Sequence, residues 1–159
     1  MRKLFCYDTK IGKIAIAEKQ GFITNVYFSN MKLPQNVKIL ETDIIKLAYL
    51  QITDYLNGVL SEFDIPINPS GTDFEQRIWC GLLTIPYGHT KTYKAAAEAA
   101  GNVKAVRAAG NACHRNPVPI IIPCHRIIAS DGKLSGYAGG MYIKSFLLEL
   151  EKCNMHKFL

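Results

Sequence analysis

The chain has 159 residues, 48% hydrophobic and 20% charged, the balance of a soluble globular protein with one or two small domains. No stretch approaches the roughly 20 apolar residues of a membrane span, and Met1-Arg2-Lys3-Leu4 runs into charged residues without a secretory core. Five cysteines, scattered at 6, 80, 113, 124 and 153, argue against a disulfide framework and point to a reducing, cytoplasmic compartment, or a nuclear one in a eukaryote.

The net charge of +6 is uneven: residues 1–68 hold 8 Lys/Arg against 7 Asp/Glu, and residues 69–159 hold 11 against 6. A basic half beside a near-neutral one suits a polyanion such as nucleic acid, although a charge of that size also simply keeps a domain soluble.

In chain order, Lys13–Ala17 and Phe22–Phe28 read as strands joined by a Lys19-Gln20-Gly21 hairpin turn. Ile45, Ala48, Ile52, Tyr55 and Leu56 recur at helical spacing from about Asp43 to Asn57, with Gly58 as the stop. Asp64–Gly71 is rich in turn residues and without periodicity, which places a linker there. The expected division is a small α/β domain over 1–68 and a second domain over 69–159. Thr72-Asp73-Phe74-Glu75 fits a capping box for a helix whose apolar stripe is Ile78, Trp79, Leu82 and Leu83, ending before Pro86.

Thr92–Ala100 is alanine-rich and should be helical. Gly101 closes it, and Asn102 can cap a second helix running to about His114 or Arg115, before Asn116-Pro117. Two helices across a short glycine turn outline a helix-turn-helix. Lys104, Arg107, Asn111 and His114 form a polar stripe, Val106, Ala109 and Cys113 face the other way, and Ala105, Ala108, Gly110 and Ala112 are small. Few side chains here are long enough to read base edges in a major groove. The small residues favour close backbone approach, as in a minor groove, with Arg107 as the one long side chain placed to enter a duplex. A plain helical hairpin with a solvated face has the same pattern.

Asn116–Ile128 carries three prolines and a run of isoleucines, the composition of a buried extended strand, interrupted by Cys124, His125 and Arg126. Titratable groups in such a run are costly unless paired or functional. A histidine can accept the proton of a cysteine thiol. Neighbours in a strand point to opposite faces, so Cys124 and His125 should communicate through a water unless the chain turns there. Gly132–Gly140 holds four glycines in nine residues, a tight loop whose N–H groups can face a ligand. The last helix should span about Met141–Lys152 on Ile143, Phe146, Leu147 and Leu150, with Glu151 at the margin of that stripe, within reach of His125 or else solvated. Cys153 and His156 have half-site metal spacing but no second half.

Ile122-Pro123-Cys124-His125-Arg126-Ile127 resembles the active-site signature of the O6-alkylguanine-DNA alkyltransferases. Ile85-Pro86-Tyr87-Gly88, Thr92-Tyr93, Arg107-Ala108 with Gly110, Asn116-Pro117, Gly136-Tyr137 with Gly139-Gly140, and Leu147-Leu148 fall in the same order. The resemblance covers residues 71–151. It implies a ribonuclease-H-like α/β N-terminal domain and a C-terminal winged-helix-type domain. It further implies DNA repair: irreversible, once-only transfer of an alkyl group from O6 of guanine, or O4 of thymine, to Cys124. His125 would take the thiol proton through a water, Glu151 would orient His125, and Asn116 would brace the adjoining turn. Arg107 would fill the gap left by a flipped nucleotide, with Tyr93, Lys104, Ala105, Gly110 and Asn111 as further DNA contacts. Tyr93, Pro119, Tyr137 and Ala138 would line the base pocket, Ala138 standing where some members have serine. Arg126 would hold the domains together. The implied partner is double-stranded DNA bound through its minor groove by a monomer, with no cofactor and no metal. An alkyltransferase-like lesion sensor lacks the reactive cysteine, so Cys124 argues against that alternative. A hydrolase built on Cys124, His125 and Glu151 lacks an oxyanion loop beyond the glycine-rich turn.

Overall fold

The computed structural model describes residues 1–159 as two compact units, Met1–Ser70 with Pro117–Ile121, and Gly71–Asn116 with Ile122–Leu159. The return of 117–121 to the first unit is a second crossing that a single boundary near residue 68 does not provide for.

In the first unit, β1 (Arg2–Thr9), β2 (Gly12–Lys19), β3 (Phe22–Phe28) and the short β4 (Val37–Ile39) form one sheet in the order β3-β2-β1-β4. The hairpin neighbours are antiparallel, whereas β4 pairs parallel with β1. The predicted β2 and β3 are present. The strand β1 and the edge strand β4 were not read from the sequence, because neither carries a clean alternation of apolar and polar residues. The helix α1 (Asp43–Leu56) is capped by Thr42, whose side chain accepts from Ile45 N, and buries Ile45, Ala48, Ile52, Tyr55 and Leu56. Burying that stripe is what stabilises a helix of this length in water. Within the same unit, Val26 N donates to the Pro117 carbonyl at 2.8 Å.

In the second unit, α2 (Asp73–Leu82), β5 (Lys91–Thr92), α3 (Tyr93–Ala99), α4 (Val106–His114), β6 (Ile127–Ile128) and α5 (Met141–Asn154) follow one another, with β5 and β6 paired parallel. Thr72 caps α2 by accepting from Glu75 N at 3.1 Å, while the Glu75 carboxylate turns to Arg115 at 3.4 Å. The Trp79 indole N–H donates to the Ala112 carbonyl at 2.9 Å and fastens α2 to α4.

The second helix of the pair starts later than expected. Asn102 Oδ1 accepts from Lys104 N and forms a turn, and the helical residues begin at Val106. Lys104 therefore precedes the helix, and Val106, at its exposed first turn, is 39% accessible instead of facing a core. Ala109, Ala112 and Cys113 form the buried face. No helix is long and apolar enough to cross a membrane.

Candidate active site

The reactive segment is buried, as its isoleucines require, but it is not a strand. Only Ile127–Ile128 pair in a ladder, and Cys124–Arg126 form a single 3₁₀ turn closed by Arg126 N to the Pro123 carbonyl at 3.0 Å. Proline lacks the N–H that a ladder uses, and Ile120 sits at φ 74°, a left-handed conformation costly for a β-branched residue. Asn116 Nδ2 donates to the Ile122 carbonyl at 2.8 Å and so closes the base of the 117–121 excursion. The turn also removes the opposed-face constraint, because successive residues of a 3₁₀ helix lie about a third of a turn apart.

Behind this turn lies a buried charge cluster. Glu151, on α5, is 1% exposed. One carboxylate oxygen accepts from Arg126 Nε at 2.8 Å and Gly88 N at 3.0 Å; the other accepts from His125 Nε2 at 2.7 Å and Arg126 Nη2 at 3.0 Å. Gly88 has φ 81°, and a Cβ there would meet Met155 at 2.8 Å, so the close approach of its N–H needs glycine. Arg126 also donates to the Ile85 carbonyl at 2.7 Å. Its hydrogen bonds thus serve the interior of the second unit, contrary to the domain-bridging role expected of it.

Burial alone would raise the Glu151 carboxyl, but the hydrogen bonds and charges of His125 and Arg126 hold it down at about 2. An ionised carboxylate only accepts hydrogen bonds, so Nε2 of His125 carries the proton and Nδ1 carries the lone pair. Burial lowers the His125 pKa against the pull of Glu151, which keeps the ring neutral and able to accept a proton.

Cys124 is buried, and desolvation pushes its thiol up to about 11, against hydrogen bonding from Asn116 and the charge of Lys144. A thiol at that value is ionised in about one molecule in ten thousand at neutral pH. A nucleophilic role for this sulfur would therefore need a base to take its proton.

Cys124 lies at a small pocket lined with Tyr93, Gly110, Cys113, His114, Gly136, Tyr137 and Ala138. Its free volume is about 10 Å³, room for about one water. The Tyr93 hydroxyl bonds the Ser135 hydroxyl, which ties α3 to the glycine-rich loop. Of the predicted pocket residues, Tyr93, Tyr137 and Ala138 are present. Pro119 is not among them and lies buried in the 117–121 segment.

Arg107 and Asn111 are exposed on α4 and Lys104 is exposed ahead of it, while Ala105 stands half-buried at the helix start. Gly110 faces inward, 3.7 Å from the Tyr93 ring at its Cβ position, so it belongs to the pocket. The sequence reading missed Cys113 and His114 as pocket residues, and it missed Lys144, which is 1% exposed. Lys144 has helical spacing with Leu147 and Glu151, so that buried stripe was its available signal.

A buried cysteine on the same turn as a histidine and an arginine that share one carboxylate is an arrangement able to support covalent group transfer. Residues 5–69 match the family described as 6-O-methylguanine DNA methyltransferase, ribonuclease-like domain, and residues 73–153 match its DNA binding domain. The methylated-DNA–protein-cysteine methyltransferase of Methanosarcina barkeri is 53% identical over 93% of this chain and 96% of its own. The constitutive enzyme of that name from Bacillus subtilis is 39% identical over 91% and 92%. The crystal structure of Mycobacterium tuberculosis OGT in complex with DNA superposes with a TM-score of 0.90 at 39% identity, covering 96% of this chain and 94% of that one. The chain belongs to the 6-O-methylguanine DNA methyltransferase family.

Proposed function

We propose that this protein repairs O6-alkylguanine in double-stranded DNA by taking the alkyl group onto Cys124, once per molecule. The observation that carries the reading is the placement of Cys124 at a small pocket beside the α3–α4 pair, with His125 and Arg126 on the same turn sharing the Glu151 carboxylate. The α3–α4 pair, with the β5–β6 ladder, supports a winged-helix type of helix-turn-helix. Its outer face offers Arg107, Asn111 and the small Ala108, which suits a minor groove better than base-edge readout.

The target oxygen lies within the base stack, so the nucleotide flips out and Arg107 fills its place. The glycine-rich loop swings away from Tyr93 to admit the base, since the closed pocket has no room for one. The released Tyr93 hydroxyl then donates to the guanine. The Cys124 proton passes to Nδ1 of His125 through a water, and the ionised Glu151 stabilises the imidazolium that forms. The thiolate attacks the alkyl carbon in line, a C–S bond forms, and the C–O bond breaks. Its electron pair stays on the guanine, which takes up a proton. The product thioether has no carbonyl for water to attack, so the sulfur does not regenerate.

The test is a titration of a duplex carrying one O6-methylguanine, read as lesion removed per protein. The reading predicts a plateau at one equivalent. Continued turnover would favour a hydrolase, and lesion binding without removal would make the protein a sensor.

A further inference from the structure

Small residues on β2 let an arginine side chain lie across it. Ala15 and Ala17 point to the face of the sheet that also carries Arg2 and Leu4 on β1 and Asn25 and Tyr27 on β3. β1 and β3 are two strand spacings apart, about 9.5 Å, with only methyl groups between them on this face. Across that gap Arg2 Nη1 donates to Asn25 Oδ1 at 2.9 Å and to the Tyr27 hydroxyl oxygen at 3.3 Å. Both acceptors are neutral. The acids of the same unit that have partners are engaged elsewhere: Glu18 pairs with Lys3, Asp8 with Lys13, and Glu41 accepts from Tyr7. Arg2 is thus a half-buried cation without a counterion. It is fixed through one nitrogen, while its Nε and Nη2 donate to no protein atom.

Arg2 and Tyr27 line an open cleft of about 520 Å³, walled by Lys32, Leu33, Pro34, Gln35 and Asn36 of the β3–β4 connection. Its charged lining is Arg2 and Lys32, with two amide side chains and no acid. Lys32 is exposed and makes no ion pair. We propose that this cleft is an anion-binding site for a phosphate group, with the Arg2 guanidinium as its fixed donor and the Lys32 ammonium as a second, adjustable charge. A guanidinium held in one orientation presents its remaining N–H groups without further ordering cost. A carboxylate would be satisfied by the arginine fork alone. A phosphate has oxygens left over, and Lys32, Gln35 and Asn36 supply donors from the opposite wall. The site lies within the Met1–Ser70 unit and does not rest on the alkyl-transfer reading. Two sources carry this chemistry, a soluble polyphosphate and the phosphodiesters of nucleic acid.

The experiment follows two NMR resonances of the full chain, the Arg2 Nε–H and the Asn36 backbone amide, as ligand is added. Sodium tripolyphosphate is titrated first and an undamaged DNA duplex separately, with sodium chloride at matched ionic strength as the control. The proposal expects both resonances to shift saturably with at least one of the two ligands and not with chloride. A response to tripolyphosphate alone upholds the site for soluble phosphates, and a response to the duplex upholds it for the nucleic-acid backbone. In Arg2→Gln, affinity read at the Asn36 amide should weaken about tenfold, the loss of a charge-assisted hydrogen bond. Lys32→Gln should weaken it about threefold, as befits an exposed charge, and decides the question if Arg2→Gln fails to fold. Resonances that neither ligand moves, a shift that chloride reproduces, or unchanged affinity in the folded variant overturns the proposal. Failure of alkyl transfer would refute the repair reading and leave these results untouched.

Discussion

Glu151→Gln perturbs the site at its most connected point. The carboxylate receives four hydrogen bonds, two from Arg126 and one each from His125 and Gly88. Its pKa is held near 2 against an ordinary 4.5, a difference that corresponds to about 3 kcal/mol of stability. For a depressed carboxyl, that contribution is complete above about pH 4.5 and is lost as pH falls through about 2. Glutamine keeps the shape but not the charge, and it leaves the Arg126 guanidinium buried without a counterion. Removing one partner of a buried pair costs about 3–5 kcal/mol, a large share of the roughly 5–15 kcal/mol that holds a small protein together. Urea unfolding at neutral pH should register it as a midpoint lowered by about 1–3 M. The two proteins should then converge in stability as pH falls below 4.5, because protonated Glu151 resembles glutamine. A loss below about 1 kcal/mol, or a difference that does not change with pH, would refute this account of the cluster.

Asn116→Ala removes the amide that closes the 117–121 excursion and steadies the thiolate; stability should fall by about 1–3 kcal/mol and the pH midpoint of Cys124 alkylation should rise, whereas a fixed midpoint would confine Asn116 to structure. His125 has a lowered pKa, so the unfolded chain binds the proton first and stability should decline as pH drops below about 6.5; His125→Asn should flatten that limb in a pH series of thermal melts. Arg107 is exposed, so Arg107→Ala should change stability by less than about 0.5 kcal/mol while weakening binding to a lesion duplex, and equal binding in a gel-shift titration would take Arg107 out of the interface. Ser135→Ala frees the Tyr93 hydroxyl and should speed single-turnover transfer at low duplex concentration; slower transfer would mean that the contact organises the pocket instead of closing it.

Much of the architecture is legible where local chemistry settles it. Thr72 caps α2 through its side-chain oxygen, as its sequence signature indicates, and the apolar spacing of α1 returns as its buried face. The errors occur where a competing local turn outweighs the simplest reading of the pattern. Asn102 looks like a helix cap but spends its oxygen on a turn. The isoleucine run predicts a strand, yet its prolines and the left-handed Ile120 turn the chain so that Cys124 and His125 enter one 3₁₀ turn. Glu151 was found because a carboxylate at the edge of an apolar stripe is conspicuous. Lys144, seven residues earlier on the same stripe, was passed over because lysine is seldom buried. The inward direction of Gly110 and the pocket role of Cys113 depend on how α3 meets α4, which spacing alone does not reveal.

The central claim is tested most directly by intact-protein mass after incubation with duplex DNA holding a single O6-methylguanine, beside Cys124→Ser under the same conditions. The account predicts a gain of one methyl group per chain, saturating at one equivalent, mapped to the peptide containing Cys124 and absent from the variant. An unchanged mass, or a methyl group carried by any other residue, would contradict it.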